Sequence, residues 1–349
     1  MQKKSLGKLG IALVTSASLA FAVAAPAAHA ASKKVVVGIA YDLGGRSQPG
    51  FNQLAYIGFT DYLKKFPGAT VKESQASNAD TDATRTTRLK LMVQAGANPI
   101  VAVGFNYENA LKAVAPMYPK VKFAIVDDNA ITAPNVEGLN FKAEQSSYLV
   151  GVIAALTSKT NHVGYIGGVK TPLLQAFEAG FTAGVHKIKP TDKVDVTYIS
   201  NPPDFSGFNA PDKGHEAALG MYQNGADVVY AAAGGTGSGV HLAAHEQGKW
   251  SIGVDADEAT YAANIANGAA SAILTSALKN VNVGVNSFLT DVATGKFKGQ
   301  NKYFDLTNGG VGFSLTGNHV SAAIQAKVKA LAKQIVAGTI VVPTDPTKA

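Results

Sequence analysis

Apolar runs of strand length alternate with segments of helical period along almost the whole chain, and few architectures accept that order. A strand over residues 35–40 leads into a helical pattern through Leu54, Ile57, Tyr62 and Phe66. Strands at 70–73, 99–104 and 122–127 follow, with helices over 80–95 and 109–117 between them. Parallel strands need a crossover of a dozen or more residues, usually a helix, so this order predicts βαβ units and a parallel sheet. The pattern then restarts, with helices at 145–157, 173–188, 210–224 and 240–247 and strands at 162–168, 195–200, 227–232 and 250–255. Two such series predict two similar lobes facing a cleft. The tail is less regular: a strand at 272–275, a helix at 281–294, strand-like runs at 302–306 and 310–315, and an amphipathic helix at 320–336. No Pro/Ser-rich linker separates the series, so short ordered crossovers are expected.

The first thirty residues stand outside this pattern. Lys3, Lys4 and Lys8 precede an apolar run over 9–25, and Ala28-His29-Ala30 forms an A-x-A cleavage signal. The run is short for a membrane span, so a secretory signal peptide is expected over 1–30. Its removal takes three lysines and no acids, lowering the formal charge from +7 to +4. That modest excess, without a basic cluster interleaved with aromatics, argues against nucleic-acid binding. The 349 residues, 46% of them hydrophobic, suffice for a large core and more than one domain. There is no cysteine, which excludes disulfides, thiolate metal sites, cysteine nucleophiles and a lipidated amino-terminal cysteine.

Catalytic templates fail. The chain has no G-x-S-x-G elbow, no G-K-[ST] phosphate loop and no H-E-x-x-H. The turn at 234–239 follows a strand and opens a helix, but Val240 breaks the G-x-G-x-x-G spacing, so a tightly packed turn is favoured over an anion site. His241 and His245 stand at i and i+4, a spacing that can bind metal. No third ligand is near, and a solvated helix face is the expectation. Asp255, Asp257 and Glu258 resemble a cation cluster but lack the glycine and downstream glutamate of a calcium loop, so neither metal nor cofactor is expected.

What remains are polar and aromatic groups at the carboxyl ends of strands, where open α/β sheets bind ligands. They are Asp42, Phe51 and Asn52 in the first loop, Phe105 and Asn106 after the third strand, and Asp127 after the fourth. The second series contributes Phe177, Phe205 or Phe208, the Gly235 backbone and Asp255, and Lys279 follows the 272–275 strand. Packing or capping would explain any one of them, but their shared placement suits a neutral, planar, hydroxylated ligand. Aromatics on opposite lobes can sandwich a flat ring, worth roughly 1–3 kcal/mol per stacked base. Amide and carboxylate groups can read a ring edge and vicinal hydroxyls. The lack of an arginine cluster favours a nucleoside over a nucleotide.

The chain resembles the BMP (basic membrane protein) family of ABC-transporter substrate-binding proteins, which includes purine nucleoside receptors. The likeness runs through Tyr41-Asp42-Leu43-Gly44-Gly45, Gly50-Phe51-Asn52, Val103-Gly104-Phe105 and Phe123-Ala124-Ile125-Val126-Asp127. It continues in Tyr148-Leu149-Val150-Gly151, Gly164-Tyr165-Ile166-Gly167-Gly168, Phe177-Glu178-Ala179-Gly180-Phe181, Ala233-Gly234-Gly235-Thr236-Gly237 and Ile252-Gly253-Val254-Asp255. The resemblance implies an α/β, type I periplasmic-binding-protein fold: two Rossmann-like lobes with parallel sheets joined by three crossovers. One lobe would comprise 31–142 plus about 277–305, the other 143–276 plus about 306–349. It further implies a purine nucleoside in the cleft, with Asp42, Asn52 and Asp127 addressing the base and Phe51 stacking on it. Phe208 or Phe205 would close the other face with Phe177 close by, and Gly235, Asp255 and Lys279 would hold the ribose.

The expected protein is therefore a monomeric, non-enzymatic receptor, periplasmic or secreted, that delivers a nucleoside to an ABC permease in the membrane. A sugar or autoinducer receptor, a secreted nucleoside-processing enzyme and a sensory partner of a membrane kinase are the alternatives.

Overall fold

The computed structural model describes Gln2 and residues 34–349 apart from Gln48 and Asn78. Apart from Gln2, the expected signal peptide lies outside the described residues. In chain order the first half runs β1 (Val36–Leu43), α1 (Phe51–Lys65), β2 (Thr70–Ala76), α2 (Asp82–Gln94), β3 (Ile100–Ala102), α3 (Glu108–Val114), β4 (Phe123–Val126) and β5 (Val136–Phe141). The second runs α4 (Ala143–Thr157), β6 (His162–Val169), α5 (Pro172–Ile188), β7 (Lys193–Ser200), α6 (Pro211–Gln223), β8 (Val228–Ala232), α7 (Gly237–Glu246), β9 (Trp250–Asp255), α8 (Ala262–Ala266) and β10 (Ile273–Lys279). The tail carries α9 (Val281–Ala293), β11 (Lys302–Phe304), β12 (Val311–Phe313) and α10 (Ala322–Val336).

The strands form two six-stranded sheets, ordered β11-β5-β4-β3-β1-β2 and β12-β10-β9-β8-β6-β7. Among the described residues all pairings within these sheets are parallel except β12 against β10. Each sheet reverses its winding once, between β1 and β3 and between β6 and β8, which opens a crevice at the carboxyl ends of those strands. Helices cover both faces. In the first sheet Ile39, Tyr41, Val101 and Val126 pack with α1 and α9, while Ala40, Ile100 and Ile125 pack with α2 and α3. In the second, α4, α5 and α10 cover one face and α6 and α7 the other. The chain passes between the sheets three times: through α4, after Lys279, and between β11 and β12.

Glycine sets the closest helix contact. A Cβ at Gly151, Gly180 or Gly184 would lie 2.1–2.2 Å from the carbonyl oxygen of Phe181, Glu144 or Tyr148, so α4 and α5 cross backbone to backbone. Thr171 begins α5, its Oγ1 accepting from the Leu174 amide with Pro172 at the first helical position.

Two strand readings change. Strand β5 was not expected: Glu137, Gly138 and Asn140 give it a polar look. Glu137 is nevertheless fully buried, and Lys302 of β11 reaches it at 3.0 Å. Strand β10 runs on to Lys279 rather than ending at Thr275, because Ser276 and Lys279 are buried polar residues with partners of their own. It lies whole in the second sheet, so the chain returns to the first half at Asn280.

Candidate functional site

The crevices of the two sheets face one another across a pocket of about 680 Å³, its open mouth included. From the first half it is lined by Asp42, Leu43, Pro49, Phe51, Asn52, Gly104, Phe105 and Asp127. From the second come Leu173, Leu174, Phe177, Phe208, Ala232, Gly234, Val254, Asp255 and Lys279. Nine of the twelve residues singled out from sequence thus share one wall system, with Asn106 and Phe205 outside the lining. Gly235 is not among the lining residues; Gly234, one position earlier, is. Sequence reasoning missed Pro49 and the Leu173–Leu174 pair. The latter's signal was the Thr171-Pro172 helix start, which puts the first turn of α5 at a strand end.

Lys279 is the centre of the electrostatics. Its Nζ donates to Asp127 Oδ2 at 2.6 Å and stands 3.6 Å from Asp255 Oδ1, so an ammonium from the second sheet joins carboxylates of both. The same Nζ lies over Phe51, 4.5 Å from the ring centroid, with Phe177 at 5.7 Å and Phe141 at 6.0 Å. Burial alone would lower this ammonium; Asp127 and Asp255 outweigh it and hold it above its ordinary value. Burial pushes the Asp255 carboxyl up to about 6, against the pull of Lys279. Asp127 directly follows β4 and Asp255 ends β9, and both have left-handed backbone at φ 63°. Asp and Asn accept that region more readily than other non-glycine residues, and such conformations cluster at functional sites.

The first loop is fixed from within. Asn52 Oδ1 accepts from the Asp42 amide at 3.1 Å, and Nδ2 donates to Leu43 O at 2.8 Å. Its amide therefore locks the end of β1 to the start of α1, which leaves the carboxylate of Asp42 as the polar group presented there. Asp42 Oδ2 accepts from Asn106 Nδ2 at 3.3 Å, and Oδ1 is buried without a side-chain partner. Burial raises this carboxyl despite help from the Leu43 amide and Arg85. Gly104, at φ 103°, is required here: a Cβ would fall 2.8 Å from Asp42 Oδ2.

The two candidate aromatics separate. Phe208 lines the pocket, packed on the end of β6, where a Cβ on Gly168 would meet its ring at 2.6 Å. Thr236 Oγ1 holds this turn in place, donating to Gly207 O at 2.7 Å and accepting from the Ala210 amide at 2.8 Å. Phe205 meets Phe105 edge-on at 5.9 Å, joining the two halves outside the lining.

The helix bearing His241 differs from expectation. His245 is exposed, but His241 is fully buried, bonded to Ser251 and Glu258. Among the described residues no group of three or more His, Cys, Asp or Glu side chains could hold a metal ion, and no helix is long and apolar enough to cross a membrane. Among the described residues the lining holds three carboxylates, one ammonium and no guanidinium. It can accept hydrogen bonds from hydroxyl and N–H groups, cover a flat apolar ring, and repel a phosphate.

Residues 34–346 match the family model described as Bmp, ABC transporter substrate-binding protein PnrA-like. The chain is 37% identical over 330 residues to a CD4+ T-cell-stimulating antigen of Listeria innocua, covering 90% of each chain. It is 31% identical over 363 residues to the ABC transporter nucleoside-binding protein BmpA of Lactococcus lactis subsp. cremoris, covering 99% of this chain and 100% of that one. Among solved structures it is similar to an ABC transporter solute-binding protein from Aeropyrum pernix K1, with TM-score 0.76 and 27% identity, over 89% of this chain and 94% of that one.

Proposed function

The chain belongs to the Bmp family of PnrA-like ABC-transporter substrate-binding proteins, and from that premise we propose that it binds a purine nucleoside between its two sheets and delivers it to a membrane permease. Proteins of this family are extracytoplasmic binding proteins, not enzymes. The observation that carries the nucleoside reading is the lining itself: among the described residues it has Phe51 and Phe208 from opposite halves, three aspartates, one lysine and no arginine. A purine stacks between the rings, Asp42 and Asp127 accept from the base edge, and Asp255 and Lys279 hold the ribose. An anionic phosphate would meet three carboxylates, which disfavours nucleotides. The nucleoside-binding relative from Lactococcus lactis supports the same class.

The two halves act as lobes, 34–142 with about 280–305 and 143–279 with about 306–349. A ligand touching both walls stabilises the closed arrangement, and binding shifts the population toward it. The signal peptide at 1–30 would send a monomeric receptor to the periplasm or medium. Isothermal titration with adenosine, guanosine, inosine and cytidine tests the ligand: purine nucleosides should bind with affinity well above cytidine. Heat from a sugar with none from any nucleoside would overturn the reading. Release of free base from inosine would replace the receptor with an enzyme.

A further inference from the structure

Phe208 stands in a stretch with almost no core of its own. From Asn201 to Ala210 only Gly207 is buried, and the ring of Phe208 is half-buried against the core of the second half. Packing alone therefore leaves the backbone that carries the ring weakly fixed, and two hydroxyls grip it at the peptide just before the ring. Ser200 Oγ, at the end of β7, accepts from the Gly207 amide at 3.3 Å and donates to Asp204 O at 2.7 Å. Thr236 Oγ1 takes the other side, donating to Gly207 O at 2.7 Å and accepting from the Ala210 amide at 2.8 Å. A hydroxyl has one hydrogen and two acceptor lone pairs, so each of these makes one bond of either kind.

Thr236 cannot reach a ligand itself. It is fully buried and is not among the lining residues, although Gly234, two positions earlier, is. Its methyl is spoken for by α6: a Cβ at Gly214 would fall 2.8 Å from Thr236 Cγ2 and 2.4 Å from Thr236 O. The hydroxyl faces the opposite task, holding residues on both sides of Phe208. The gripped peptide has no slack, because a Cβ at Gly207 would fall 2.0 Å from Gly168 O at the end of β6. Without the hydroxyl, Gly207 O and the Ala210 amide lose a buried partner. They regain one only by moving toward water, and the ring moves with them.

We propose that Thr236 is a positioning residue for ligand binding: it never touches the nucleoside, and it acts by holding the Phe208 ring where it stacks on the base. In the rival arrangement Thr236 only packs the start of α6, and its loss affects stability without reference to Phe208.

The binding arm rests on the nucleoside reading and is a double-mutant cycle, followed by calorimetry with the tightest of adenosine, guanosine and inosine. Thr236→Val keeps the methyl and the shape and removes both hydrogen bonds. Affinity should fall about fivefold or more, while Thr236→Ser, which keeps the hydroxyl, should stay within about twofold of wild type. In a Phe208→Ala background the Thr236→Val change should cost less than about 1.5-fold, because the ring it positions is gone. Equal losses with and without Phe208 would overturn the positioning role and leave the ligand reading standing. So would a Thr236→Val protein that binds like wild type. The second arm needs no ligand: amide exchange at 207–210 should be faster in Thr236→Val than in Thr236→Ser, with the β8 amides as in wild type. If no nucleoside binds the wild type, the ligand reading fails by itself and exchange judges the grip: equal exchange at 207–210 in the two variants would refute it. Should Thr236→Val not fold, Ser200→Ala, which frees the same peptide from its amide side, takes its place in both arms with the same expectations.

Discussion

Replacing Lys279 by methionine tests whether one buried ammonium holds the two halves together. Methionine keeps most of the side chain's length and fills the space beside Phe51, Phe141 and Phe177 without charge. What is lost is the 2.6 Å bond to Asp127 and the 3.6 Å contact with Asp255. The side chains of all three residues are at most 10% exposed, so water cannot replace the ammonium cheaply. Removing one partner of a buried pair costs about 3–5 kcal/mol, chiefly because the other charge stays buried and alone. Two carboxylates left facing one another place Lys279→Met at the upper end. The expected fall in melting temperature near pH 7.5 is on the order of 10 °C. The pH dependence identifies the cause. Burial already raises the Asp255 carboxyl to about 6, and loss of the cation raises it further. Unfolded aspartate titrates near about 3.9, so between these values the folded variant binds protons that the unfolded chain does not. Its stability therefore recovers as pH falls from about 7.5 to about 5. Calorimetry of wild type and variant at both pH values decides it. A loss below about 1 kcal/mol, or one that does not change with pH, would refute the reasoning.

Three further outcomes follow from the same geometry. Phe51→Ala and Phe208→Ala should each weaken nucleoside binding more than tenfold, as losing about 1–3 kcal/mol of stacking requires. Phe205→Ala, which touches Phe105 rather than the pocket, should cost less than threefold in the same titration. Gly184→Ala would drive a Cβ to 2.1 Å from Tyr148 O. It should lower the melting temperature by several degrees, from about 1–3 kcal/mol of overpacking. Finally, the proposed ribose contact asks Asp255 to accept hydroxyl hydrogens, which it does best when ionised. Affinity should thus fall severalfold as pH drops from about 7.5 to about 5 through its raised value of about 6, and Asp255→Asn should flatten that acid limb.

The alternation of strands and helices was enough to read the fold, because buried parallel strands announce themselves as apolar runs. Where a strand carries buried polar residues the signal fails. Strand β5 hid behind Glu137, whose partner Lys302 lies far along the chain, and the end of β10 hid behind Ser276 and Lys279. The candidate site was legible as a set of strand ends, since the topology of a doubly wound sheet sends its loops to one edge. The duties of individual groups were not. Asn52 looked like a ring reader, but both ends of its amide hold backbone of β1. His241 looked solvated beside His245, because the partners that bury it, Ser251 and Glu258, come from later segments. The glycines of 148–151 and 177–181 belong to a helix crossing and not to the pocket.

The central claim is that the cavity between the sheets selects an uncharged purine nucleoside. Native mass spectrometry of the protein equilibrated with equimolar adenosine, guanosine, inosine, cytidine, their 5′-monophosphates, ribose and glucose puts that choice in one spectrum. The account predicts a single added mass matching a purine nucleoside, lost in Phe51→Ala. A monophosphate or a free sugar as the retained mass would contradict it.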